Sequence, residues 1–191
     1  FWIGIFEVTQ EQYHALTQEK PSRGTPVRSH PVNSVTWKEA RDLCRLLTEQ
    51  ESQKNRLPEG YVYRLPTEAE WEYTARAGGP VTAMDLGRRA WYKANNSAGD
   101  QHAVGRKEAD KNGVHDLLGN VAEWCHDRYS QTAYTTEPKR DPAGPVRGNL
   151  RVVRGGSRIS PAEECMPWRR LKRPPSTRDR HLGFRVVLAP A

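Results

Sequence analysis

Over the first eighty residues the apolar positions fall at helical spacing, and beyond Pro80 they shrink to short runs between turn residues. Phe1-Trp2-Ile3-Gly4-Ile5-Phe6 reads as a strand already under way, which implies that the natural chain starts earlier or follows another domain. A strand from Ile3 to Val8 then feeds a helix at Thr9. Three segments open with a Thr whose hydroxyl can accept from an orphan amide and a Glu or Gln three residues on that reaches back. The pairs are Thr9 with Gln12, Thr36 with Glu39 and Thr67 with Glu70, and each cap contributes about 1 kcal/mol. Val8 and Tyr13 occupy the two positions of a hydrophobic staple on the first. In the second helix Trp37, Ala40, Cys44 and Leu47 form one stripe that puts Cys44 in the core. The third presents Ala69, Trp71 and Tyr73 to Ala75 and stops at Gly78-Gly79.

After the third helix no further one is predicted. The short apolar stretches Trp91-Tyr92, Val114 to Leu118, Val121 to Cys125, Val152-Val153 and Phe184 to Leu188 read as strands or ordered loops. Pro138, Pro142, Gly144, Pro145 and Gly148 mark an exposed connection. The expected class is α+β, with helices early and a long loop-rich half of short antiparallel strands. Structureless loops beyond about 12 to 15 residues are uncommon unless functional or held in place, so something must hold this half.

At 191 residues the chain fits a single domain, 1–191. A hydrophobic share of 36% against 28% charged residues excludes disorder. The formal net charge of +7 disposes the surface towards acidic partners without identifying one. Cys44, Cys125 and Cys165 are too few and scattered for a disulfide framework or zinc knuckle, and leave the compartment open. His14, His30, His102, His115, His126 and His181 lack zinc spacing. No run approaches the roughly 20 apolar residues of a membrane span.

Taken in order, several motifs resemble one family. They are Phe6-Glu7-Val8-Thr9, Pro31-Val32 before Val35-Thr36-Trp37, and Arg64-Leu65-Pro66-Thr67-Glu68-Ala69-Glu70-Trp71. Further on come Asp116-Leu117-Leu118-Gly119-Asn120-Val121 with Glu123-Trp124, Arg154-Gly155-Gly156-Ser157 and Leu182-Gly183-Phe184-Arg185. The chain is similar to the formylglycine-generating, or sulfatase-modifying factor, family. That resemblance implies a C-type-lectin-like fold with little regular secondary structure, often stabilised by calcium. The family spans copper-dependent oxidases of a sulfatase cysteine, non-haem-iron sulfoxide synthases, kinase-attached domains and retroelement-diversified binding proteins, so fold alone does not settle function.

The resemblance places a calcium ion under the Gly119 to Trp124 loop. Its ligands would be the Asp116 and Glu123 carboxylates and the Gly119 and Val121 carbonyls, a partial oxygen shell of the kind hard cations take. The competing reading has Asp116 capping a turn and Glu123 in an ion pair. A second family site would use Asn95 and the Asn96 carbonyl but lacks a clear acidic partner downstream.

The family's copper centre uses two thiolates five residues apart after the Gly-Gly-Ser, because soft cuprous ion selects sulfur. Here those positions are Ser160 and Cys165. A serine hydroxyl is a hard, weak ligand, and Ala122 stands where the family commonly has an aromatic. Copper is therefore not expected, and Cys165 reads first as a small buried hydrophobe, with a reactive role as the alternative. If the chain were an oxidoreductase, Cys165, Ser160 and Ser157 would form its centre.

Around an expected framework, eleven positions depart from the family: Arg158, Ile159, Met166, Trp168, Arg169, Leu171, Lys172, Arg173, Thr177, Arg180 and His181. Trp, Arg and Met dominate interface hot spots, so this segment is predicted to bind a protein ligand of acidic character. Retroelement diversification of this segment is part of the same reading. The plainer alternative is a solvated basic face with Trp168 in the core. Nucleic acid is not expected, since no binding module accompanies the charge.

Overall fold

The computed structural model describes residues 1–24, 26–97, 99–134 and 140–191; Pro138 of the expected connection lies outside them. All three predicted capping boxes close on both sides. They start α1 (Gln10–Thr17), α2 (Trp37–Gln53) and α3 (Glu68–Ala77). In α2 the stripe buries Trp37, Ala40, Leu43 and Cys44. In α3 Trp71 and Ala75 are buried, but Tyr73 is 69% exposed and meets Phe1 edge-on.

A fourth helix, α4 (Ala83–Arg89), corrects the expectation that none follows α3. Its capping box pairs Thr82 with Asp85 rather than Glu or Gln. It is seven residues long, contains Gly87 and buries only Leu86, so little periodicity announces it.

The first strand is shorter than expected. β1 (Trp2–Ile3) and β2 (Tyr61–Arg64) flank β7 (Val187–Pro190) in one antiparallel sheet. β3 (Ala122–Arg128), β4 (Arg151–Arg154), β5 (Leu171–Arg173) and β6 (Leu182–Gly183) form a second, in the order β5-β4-β3-β6. The pairing of β3 with β6 is parallel, because the chain returns to β6 through the 174–181 loop instead of a hairpin. Residues 114 to 118 form no strand, and Trp91 makes only an isolated bridge to Gly119.

Alternation along β3 and β4 divides the interior. Ala122, Trp124 and Val153 face a core shared with Tyr13, Trp37 and Leu43. Cys125 and Val152 face a second core with Trp71, Leu86 and Cys165. Two indoles fasten the helical half to the sheet: Trp37 Nε1 donates to the Cys125 carbonyl at 2.8 Å and Trp124 Nε1 to that of Val35 at 3.0 Å. Arg154, fully buried on β4, donates to Glu68 and Glu72 of α3, each at 2.8 Å. These cross-links supply what the loop-rich half lacks in regular structure.

Candidate functional site

A cavity of about 160 Å3 opens over the β5-β4-β3-β6 sheet. Its floor is Ala122, Val153, Leu171 and Leu182, which share one face of the sheet by their register. One wall is the loop after Gly155-Gly156, whose glycines adopt φ values of 90° and 67°. A Cβ on Gly156 would stand 2.7 Å from Cys165 Sγ, so this turn packs tightly over the following short helical turn. From this wall Ser157, Ser160 and Glu164 line the space. Ser160 Oγ donates to Glu164 Oε2 at 2.8 Å and lies 3.4 Å from Ser157 Oγ. The other wall is Asp179 and His181, joined by the His181 amide donating to Asp179 Oδ1 at 2.9 Å.

Four of the eleven divergent residues, Ile159, Leu171, Arg173 and His181, line this cavity together. Trp168, 55% exposed, and the exposed Arg169, Lys172 and Arg180 lie outside this lining. Lys172 alternates away from Leu171 and Arg173 and sits 4.7 Å from the Tyr129 ring. Thr177 is half-buried, its amide donating to the Pro174 carbonyl. Met166 packs on the second core and Leu171 on the first.

Arg158 departs from the expectation of a surface residue. It is 4% exposed and donates to the carbonyls of Gly99 and Arg180, each at 3.0 Å. Burial, with Arg180 adding repulsion, brings its pKa down to about 10. Arg158 thus braces the loop that carries His181 and does not itself offer a contact. The His181 imidazole is lowered to about 4 by burial and by Arg158, so it is neutral at neutral pH. The cavity also recruits Glu164 and Asp179, which sequence reading passed over; the Ser160-to-Glu164 spacing of four was the available signal.

Cys165 is absent from the cavity lining. It is fully buried in the second core, Sγ 4.0 Å from the Ser157 carbonyl. Burial, then the nearby Glu164 charge, pushes its thiol up to about 12. Ser160 and Cys165 therefore belong to different sides of the loop, a protonated thiol in the core and a hydroxyl in the cavity. This arrangement does not fit a two-sulfur cuprous site.

The loop from Asp116 to Glu123 is built around a guanidinium. Both oxygens of the fully buried Glu123 accept from Arg185, at 2.7 to 3.0 Å, and Oε2 also accepts from Trp71 Nε1 at 2.8 Å. Glu7 receives Asn120 Nδ2 at 2.8 Å and the Val121 amide at 3.1 Å. Burial, reinforced by Asp116 and Glu123, raises the Glu7 carboxyl well above its usual range. Asp116 Oδ2 accepts from the Gly105 amide at 2.7 Å, while buried Oδ1 has no partner among the described residues. Asp116 is also raised by burial. Of the two carboxylates expected to hold calcium, Glu123 has both oxygens engaged by Arg185 and Trp71 and Asp116 keeps one open, so the acids together offer a cation one oxygen as they stand. At the second expected site Asn95 Oδ1 accepts from the Tyr92 amide at 2.9 Å and the Asn96 carbonyl from the Gly99 amide at 3.0 Å. Chelation is accordingly expected to leave the thermal midpoint unchanged; a fall of several degrees, restored by added calcium, would show that Arg185 is not the loop's sufficient cation.

A formylglycine-generating enzyme of Streptomyces coelicolor is 34% identical over 185 residues, covering 83% of this chain and 52% of the enzyme. A serine/threonine-protein kinase, pkn1, of Chlamydia pneumoniae is 31% identical over 161 residues, covering 83% of this chain and 24% of the kinase. The chain thus spans about half the length of the enzyme and a quarter of the kinase. Among solved structures, Treponema denticola variable protein 1 superposes with a TM-score of 0.86 at 31% identity, over 99% of this chain and 84% of that one. PvdO from Pseudomonas aeruginosa shares the fold, with a TM-score of 0.79 at 23% identity over 96% and 78% of the two chains. The sulfatase-modifying factor enzyme 1-like domain profile matches residues 1–190, and the chain belongs to that family.

Proposed function

We propose that this chain is a non-catalytic binding domain that captures a protein ligand through the cavity and the basic, aromatic surface around it. The observation that carries this reading is that four divergent residues, Ile159, Leu171, Arg173 and His181, converge on one cavity while Cys165 lies outside it. A thiol held protonated in the core supplies no thiolate for copper, which weighs against the oxidoreductase reading despite the relationship to formylglycine-generating enzymes. Likeness to a variable protein supports a segment from Arg158 to His181 that is free to change, including by retroelement diversification.

Trp168 and Arg169 supply the area and charge that interface hot spots use. Exposed Arg169, Arg173 and Arg180 favour an acidic partner surface. Replacing Trp168 and Arg169 together with alanine is expected to weaken capture of the partner by roughly a hundredfold, about 2 to 3 kcal/mol, with an unchanged melt. Undiminished capture would remove this face from the binding site.

A further inference from the structure

The cavity's own charge differs from that of its rim. Glu164 and Asp179 form no ion pair with any described cation, in a chain whose formal net charge is +7. Glu164 Oε1 and Asp179 Oδ2 have no hydrogen-bond partner among the described residues, although the other oxygen of each is held in place. The lining includes one guanidinium, Arg173, which is exposed and donates to the Lys172 carbonyl. The neutral His181 ring adds no positive charge. Arg158 donates to two carbonyls outside the lining, with its Nη1 left without a partner among the described residues and its charge felt by Asp179, and Arg180 Nε is turned to His181 Nε2 at 3.0 Å. Two carboxylates against one guanidinium leave the lining net negative.

Below those carboxylates the floor is aliphatic. The volume, about 160 Å3, is close to that of cavities known to hold a single benzene-sized group. Ser157 and Ser160, both more than nine-tenths buried, line the same space. Among the described residues the only partner of Ser157 Oγ is Ser160 Oγ, at a long 3.4 Å. A long side chain with an apolar stem and a cationic end matches this order of surfaces.

We propose that the cavity receives one lysine- or arginine-type side chain of the partner, its stem against Ile159 and Leu171 and its charged end between Glu164 and Asp179. This rests on the binding role argued above and assigns the chemistry of its central contact. The partner would then present one basic anchor within an otherwise acidic surface, so that the rim steers and the cavity selects.

Titration calorimetry with small probes separates the charge assignment from the binding role. The probes are Nα-acetyl-arginine amide, Nα-acetyl-lysine amide, Nα-acetyl-norleucine amide and Nα-acetyl-glutamate amide. The arginine or lysine probe is expected to bind at least about tenfold more tightly than norleucine, the usual effect of one charge-assisted hydrogen bond. Glu164→Gln and Asp179→Asn, each of which keeps its existing acceptor atom, are expected to remove that margin while melting like the parent. Tighter binding of the glutamate amide, or equal binding of all four, overturns the charge assignment and leaves the cavity as the binding site. Binding of none overturns the cavity as a site, and the Trp168 and Arg169 variant then tests the rim independently.

Discussion

Replacing Arg185 with methionine is expected to cost about 3 to 5 kcal/mol, the range seen when one partner of a buried ion pair is removed. Arg185 and Glu123 are both fully buried, and no other described cation reaches the Glu123 carboxylate. Asp116 and Glu123 lie close enough to add to the rise that burial gives the Glu7 carboxyl, so the loss would leave three acids in one unscreened region. A domain of ordinary stability has only about 5 to 15 kcal/mol in all. Urea denaturation measures the loss. Glu123→Gln added to the Arg185→Met chain should recover part of it, since the amide keeps an acceptor for Trp71 without the charge. A single variant within about 1 kcal/mol of the parent would contradict the central place given to this guanidinium.

The second large effect is at Gly119. Its φ is +80°, and a Cβ there would stand 2.1 Å from the Trp91 carbonyl oxygen. The neighbouring Asn120 amide donates to that same oxygen at 2.9 Å, so the close approach is fixed from both sides. Gly119→Ala is expected to cost roughly 2 to 5 kcal/mol, from left-handed backbone strain and overpacking against a main chain that cannot swing aside. Thermal denaturation would show it as a clear drop in midpoint. No measurable change would mean that the loop relaxes away from Trp91, and that its geometry is not rigidly held.

Local signals carried the helices well and the tertiary contacts poorly. Thr36 and Glu39 announce α2 because both halves of the capping box lie within one turn, and the Trp37 to Cys44 stripe follows from helical period alone. α4 escaped because a short helix with one buried residue leaves almost no period to read. Residues 114 to 118 take the ordered-loop alternative, since the apolar residues there are buried by loop packing and not by pairing. At the site, the spacing of Ser160 and Cys165 identified the altered sulfur pair. That the two face different sides of one turn depends on Gly156 and the second core, which no local pattern encodes. Arg158 shows the same limit: a charged residue beside Ile159 reads as surface, yet Gly99 and Arg180 carbonyls far along the chain bury it. Glu123 shows it again, because its partner Arg185 lies 62 residues away.

The measurement that bears most directly on a binding role without oxidation is a turnover assay. The purified protein, supplied with cuprous ion, reductant and oxygen, is incubated with a cysteine-bearing peptide, and aldehyde is counted with a hydrazide probe. With Cys165 protonated in the core and Ser160 hydrogen-bonded to Glu164, the expected result is no aldehyde above the peptide alone. Catalytic aldehyde formation that disappears in Cys165→Ser would contradict it.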